Sequence, residues 1–288
     1  MVARRPYTVP LPTGGALDLG ARTLVMGVLN LSPDSFAGGG LRPDPSRAVD
    51  DALQLVADGA DILDIGGEST RPGATPLSAE EELARVVPVL DGLAGRVPIP
   101  ISIDTYKAAV AGAALDRGAA IVNDVSGLQY DPALAGVVAR RGAAVVLMHN
   151  RVRSARMYDE ARYEDVAGEV AAELAARIEA AVAAGIPRER VIVDPGLGFA
   201  KRAEHSWAAL AGLHRLIALD RPILVGPSRK SFLNAALGDR EPGGREWGTA
   251  AAVAAAALFG AHIVRVHGVR AMVDVVRAAD RLRAAAGL

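Results

Sequence analysis

No cysteine occurs in the 288 residues, which excludes disulfides, thiolate catalysis and cysteine-held metals. An excess of either charge is also missing, because 32 Lys+Arg stand against 33 Asp+Glu. With a net charge of −1 and no basic block, neither nucleic acid nor an anionic membrane surface is expected as the main partner. The most apolar stretch, residues 250–261, is mostly alanine and falls short of the roughly 20 residues of a membrane span. The N-terminal MVARRPYTVPLPTGG has no apolar core, so no signal peptide is expected and the cytoplasm is the expected compartment.

Lysine and aromatics are scarce too. Only three of the 32 basic residues are lysine: Lys107, Lys201 and Lys230. A chain that writes arginine for generic positive charge keeps lysine where a compact ammonium is wanted. Of the 4 Phe, three (Phe36, Phe199 and Phe232) fall in or beside polar loop segments. There each is a local apolar plug or part of a pocket wall for a flat ligand.

What is present is a core-forming chain, 51% hydrophobic, with a regular alternation. Apolar runs at 24–29, 61–65, 99–103, 120–123, 144–148, 191–193, 223–225 and 263–266 read as strands. Their near-continuous apolarity suits parallel strands covered on both faces. Helical patterns near 46–58, 79–94, 106–116, 132–141, 164–184, 203–218, 229–236 with 246–259, and 270–285 lie between and after them. Eight such units predict an α/β fold, a single (β/α)8 TIM barrel, with residues 1–288 as one domain. Residues 7–19, turning at Gly14-Gly15, predict a hairpin closing the barrel bottom.

Every strand is followed by polar or ionisable groups: Asn30, the GGESTRPG run, Asp104, Asn123-Asp124, His149-Asn150, Asp194, Ser228-Arg229-Lys230-Ser231, and Arg265 with His267. Barrel enzymes build their sites at that end. Asp104, Asn123 and Asp194 could hold Mg²⁺ through oxygens, or bind a ligand edge rich in N–H donors, and spacing does not decide between them. Arg265 could stack on a flat ring or clamp an anion. The start of a helix at Ser231 would favour a carboxylate or phosphate. His149 and His267 lack a third ligand at metal spacing, and no P-loop or dinucleotide fingerprint occurs.

In order along the chain stand MGVLNLSPDSF, GGESTRPG, SIDT-x-K, IVNDVS, LMH, DPGLGF-x-K, VG-x-SRKS and RVH. Together, from about Val25 to Val276, they resemble dihydropteroate synthase, and all three lysines fall inside them. The resemblance implies condensation of hydroxymethyl-dihydropterin pyrophosphate with 4-aminobenzoate to give dihydropteroate and pyrophosphate in folate biosynthesis, by dissociative substitution. It implies that Asp104, Asn123, Asp194, Lys230, Arg265 and Met148 bind the pterin. Asn30, Thr70, Arg71, Arg265 and His267 would hold the pyrophosphate, with Mg²⁺ near Asn30. Phe36, Pro72, Phe199 and Ser231 would form the aminobenzoate pocket, with Thr70 beside them. Sensitivity to sulfonamides and a homodimer, with the small side chains of 249–258 at its contact, are further implications. No nucleic-acid or membrane partner is implied.

Three positions depart from the family pattern. Ala37-Gly38-Gly39-Gly40 replaces an acidic loop sequence, N-R-V-R-S-A-R-M replaces a segment with G-x-P, and Gly268 replaces an acid after R-V-H. The first leaves room for a non-catalytic pterin-binding paralogue. A pterin-binding methyltransferase domain shares the barrel but has no need of SRKS or the long loops.

Overall fold

A computed structural model of the chain describes residues 2–31, 44–69, 74–151, 158 and 161–288. The first strands, β1 (Tyr7–Pro10) and β2 (Ala16–Leu19), form an antiparallel hairpin. Eight parallel strands follow: β3 (Leu24–Asn30), β4 (Ile62–Gly66), β5 (Ile101–Asp104), β6 (Ile121–Asp124), β7 (Ala144–Met148), β8 (Val191–Asp194), β9 (Leu224–Val225) and β10 (Ile263–Val266). They pair in the order β8-β7-β6-β5-β4-β3-β10-β9. A parallel bridge between Val193 and Ile223 joins the two ends, so the sheet closes on itself as expected of a (β/α)8 barrel.

Around it lie α1 (Pro45–Ala57), α2 (Ala79–Leu93), α3 (Ala108–Leu115), α4 (Leu134–Arg141), α5 (Val166–Ala183), α6 (Ala203–Ala211), α7 (Asn234–Leu237), α8 (Glu246–Leu258) and α9 (Val269–Ala285). Their starts are written in the sequence. Asp44 caps α1 through the Ser46 N–H with Pro45 next, and Ser78 with Glu81 makes a reciprocal capping box on α2. Among the described residues no helix is long and apolar enough to cross a membrane.

Strand parity divides the interior. Alternate positions along each strand, such as Leu63, Ile65, Val122, Val193 and Val264, face the helices in one core cluster. Met26, Ile62, Ile121, Ala144, Ile192, Leu224 and Ile263 point inward and pack with Val9, Leu11, Leu17 and Leu19 of the hairpin. The hairpin therefore stoppers the N-terminal mouth of the barrel.

Two expected helices are shorter than their patterns. The one over 203–218 stops at Ala211, and a 3-10 turn covers Leu213–Leu219. Gly212 marks the break, where a Cβ would come within 2.4 Å of the Ala167 Cβ on α5. The one over 229–236 is a 3-10 turn, Ser231–Leu233, followed by the four-residue α7. It starts only after Arg229, whose φ of 58° cannot continue a right-handed helix.

Candidate active site

Two residues beyond the inward Ile62, Ile121, Ile192 and Ile263 stand Asp64, Asn123, Asp194 and Arg265. The same parity that fills the lower barrel with hydrocarbon thus aims these polar groups into its upper half. Register places Asp104 beside both Gly66 and Asn123, and Met148 beside Asp194. A cavity of about 470 Å³ opens at this end, lined among others by Asn30, Asp104, Phe199, Ser228, Lys230, Ser231, Arg265 and His267. The floor needs glycine at one position and has a second beside the cavity-lining cations. A Cβ on Gly196 would sit 2.0 Å from the His149 carbonyl, and one on Gly226 would fill space between Arg265 and Lys230. A larger groove of about 590 Å³ runs along α9 between Arg22, Asp61, Asp280 and Arg281. Asp61 and Asp280 there are already tied to Arg22 and Arg4.

The floor is a charge network. The Arg265 guanidinium donates from Nε to Asp64 Oδ2 at 2.6 Å and from Nη2 to Asp104 Oδ2 at 2.7 Å. Asn123 Nδ2 donates to the same Asp64 oxygen at 3.0 Å. Asp104 Oδ1 is buried with no partner, an acceptor left for a ligand to satisfy. Burial pushes the Asp104 carboxyl up to about 7, against the opposing pull of Arg265 and with help from Asp64. Asp194 is likewise raised by burial, while Lys230 and the Gly196 N–H, 2.7 Å from its Oδ1, favour its ionised form. Lys230 is lowered by burial to about 8, opposed by Asp194. Its ammonium donates to the Leu197 carbonyl and stands 4.7 Å from the Phe199 ring centre. At the rim, His267 Nδ1 lies 2.9 Å from the Ser228 hydroxyl, and Asn30 Nδ2 lies 3.5 Å from His267 Nε2. Acceptors below and cations above suit a flat ligand with a donor-rich edge and an anionic tail.

The pterin binding enzyme family matches residues 26–267. The dihydropteroate synthase of Mycobacterium leprae is 52% identical over 259 residues, covering 88% of this chain and 91% of that protein. This chain belongs to the dihydropteroate synthase family. Among solved structures, Xanthomonas albilineans dihydropteroate synthase with 4-aminobenzoic acid superposes with a TM-score of 0.88 at 42% identity, covering 96% of this chain and 99% of that one. The same organism's enzyme in complex with 7,8-dihydropteroate gives 0.83 at 40% identity, covering 91% and 94%.

Within this synthase-family chain, Asn30, Asp104, Phe199, Lys230, Ser231, Arg265 and His267 line the cavity, whereas Asn123 and Asp194, almost fully buried beside Asp104 and Met148 in the sheet register, are not among its lining residues. Met148 is buried beside them on β7. Phe36, Thr70, Arg71 and Pro72, with the Ala37–Gly40 departure, lie outside the described residues. Phe232 is a core plug, 3% exposed and edge-on to Trp207. Only one of the three lysines, Lys230, lines the cavity. Lys107 is clamped between Glu68 and Glu82, and Lys201 is buried with Nζ 2.7 Å from His149 Nδ1. His149, held near 4 by burial and by Lys201, passes on to Glu173 at 3.0 Å. Glu173 also pairs with Arg151 of the arginine-rich departure. That arginine therefore braces the strand-end network against α5.

Asp64 was hidden from the strand-end reading because it lies inside its strand. The signal that exposes it is an acid at an inward-parity position of an otherwise apolar run. Tyr158, Pro242 and Arg245 also line the cavity, and no motif marked them.

Proposed function

We propose that this chain, as one pterin-binding domain acting in the cytoplasm, condenses (7,8-dihydropterin-6-yl)methyl diphosphate with 4-aminobenzoate, giving 7,8-dihydropteroate and pyrophosphate for folate synthesis. The observation that carries the reading is the unpartnered Asp104 oxygen, in register with Asn123 and beneath the cationic rim of Lys230, Arg265 and His267. Carboxylates and a carboxamide satisfy the N–H donors of an aminopyrimidinone, and Lys230 is left to donate to its carbonyl and ring nitrogen. Arg265, tied on one edge to Asp64 and Asp104, keeps its face for the ring and a free N–H for the diphosphate.

The difficult step is departure of the diphosphate, which leaves positive charge on the electron-rich dihydropterin methylene. His267, Asn30 and Arg265, with Arg71 and Thr70 from the second loop, stabilise the departing anion more as its charge grows. Among the described residues no group of three His, Asp or Glu is placed to hold a metal. Asn30, half-buried at the rim, offers one neutral oxygen, which fits Mg²⁺ arriving with the diphosphate better than a resident ion. Such an ion would neutralise the leaving group. Phe36, Pro72 and Phe199 wall the arylamine, and Ser231 takes its carboxylate. The amine is already nucleophilic, so the protein positions it rather than deprotonating it strongly. The small residues of α8 that are not fully buried in the chain's own core, Ala250, Ala251, Ala254 and Ala255, are assigned to a homodimer contact.

The test is pyrophosphate release from the pterin diphosphate with Mg²⁺, with and without 4-aminobenzoate. Turnover that needs both substrates and is blocked by a sulfonamide supports the synthase. Tight pterin binding without turnover would favour the non-catalytic reading motivated by Gly38.

A further inference from the structure

We propose that Asp64 fixes the donor–acceptor order of Asn123, so that the site selects an amino-substituted over an oxo-substituted ring without Asp64 touching the ligand. The inference rests on the pterin reading above and gives it a residue that sets specificity. Asp64 is fully buried on β4, whereas Asn123 keeps 4% of its surface exposed. Its Oδ2 receives two hydrogen bonds, from Arg265 Nε at 2.6 Å and from Asn123 Nδ2 at 3.0 Å.

The orientation of a carboxamide is seldom visible directly, but here chemistry decides it. Arginine Nε is a donor and nothing else, so the Asp64 oxygen facing it is an acceptor. The end of Asn123 that shares this oxygen must then be its NH₂. One N–H and the carbonyl oxygen of Asn123 are left, side by side and in a set order.

A pterin offers the complement, a ring nitrogen that accepts beside an exocyclic amine that donates. Its dioxo analogue, lumazine, reverses the pair, with a ring N–H beside a carbonyl. A free asparagine would turn over and satisfy either ring at little cost. One held by Asp64 meets lumazine with donor against donor and acceptor against acceptor. Asp64 Oδ1 is buried without a partner, a cost that packing alone would not sustain in place of an aliphatic side chain. Asp104 and Asp194, as acceptor-only carboxylates, disfavour a carbonyl in wild type and variant alike, so the change between the two chains isolates Asn123.

The experiment is calorimetric titration of the full chain with pterin and with lumazine. The wild type is expected to prefer pterin strongly. Asp64→Ala releases Asn123, and the preference should fall about tenfold or more, while Arg265 keeps Asp104. Asp64→Asn should weaken both ligands yet keep the preference, because its carbonyl oxygen must still face Arg265 and so still accepts from Asn123. In an Asn123→Ala background, Asp64→Ala should leave the preference unchanged. If the alanine chain shows no melting transition, Asp64→Leu carries the same comparison. Equal weakening of both ligands by Asp64→Ala or Asp64→Leu overturns the inference and leaves the pterin reading intact. A wild type that binds neither ring overturns that reading itself.

Discussion

The two halves of the barrel interior are built from the same strands and share almost no chemistry. On β4, β6, β8 and β10 the lower inward residue is isoleucine each time: Ile62, Ile121, Ile192 and Ile263. The upper inward residue, two positions on, is Asp64, Asn123, Asp194 or Arg265. A step of roughly 7 Å along a strand separates them. The lower half is dry, close-packed and sealed by the hairpin, so it fixes where the strands stand. The upper half holds buried carboxylates whose pKa values are raised and a carboxylate oxygen without a partner. It is held in an unfavourable state that a ligand can relieve. Stability and recognition are therefore divided along each strand, and substitutions on the two sides should have opposite signatures.

The largest separation is expected from Asp194→Ala. Pterin affinity should fall by at least about a hundredfold, because a buried ligand donor loses its acceptor. The melting temperature should hold or rise, since an ionised group opposed by burial has been removed. Unaltered pterin affinity by titration would break the division at once. The converse is Ile121→Ala, two residues below Asn123. It should cost about 2–5 kcal/mol in denaturant unfolding, with pterin affinity of the folded fraction changed little.

Smaller effects sharpen the upper half. Lys230→Arg keeps the charge but replaces a compact ammonium with a planar fork beneath the Leu197 carbonyl and beside Phe199. A drop of about ten- to a hundredfold in kcat/KM is expected. Activity equal to wild type would show that generic charge suffices there.

The mildest test is pH. The folded value of Asp104, about 7, lies above its ordinary value of 3.8. Its protonation therefore favours the free folded chain as pH falls from 7 towards 4, and its ionisation is a cost above 7. Pterin needs the ionised acceptor, so binding should weaken below about pH 7, where it releases one proton from Asp104. Calorimetry in buffers of different ionisation enthalpy would show that release. A flat profile across this range would remove Asp104 from the ligand edge.

The fold was legible to a high degree because its signals are local. Apolar runs bounded by turn residues place β7 and β10 at 144–148 and 263–266, as expected from the sequence. Caps such as Asp44 and Ser78 mark where helices begin. The misses also have local causes read at the wrong range. Gly212 looks tolerable inside a helix until Ala167 is placed against it. The SRKS segment looks like a helix start, yet Arg229 takes φ of 58°, with its N–H on Thr249 and its guanidinium on Glu246. The site was legible as a set of strand ends, and lysine scarcity drew attention to Lys107, Lys201 and Lys230. Their division of labour was not legible, since it depends on partners such as Glu82 and His149 on other elements.

The sequence by itself determined the strand parity, the apolar lower half and the acids, amide and cations at the strand ends, because a period of two is a property of neighbours along the chain. Only the tertiary structure decided which of those groups meet. Asp64 and Arg265 are 201 positions apart, yet the pairing of β4 and β10 on either side of β3 brings their side chains together. That meeting turns separate polar residues into one acceptor floor with a set order, because burial makes each group's charge and hydrogen bonds depend on the others.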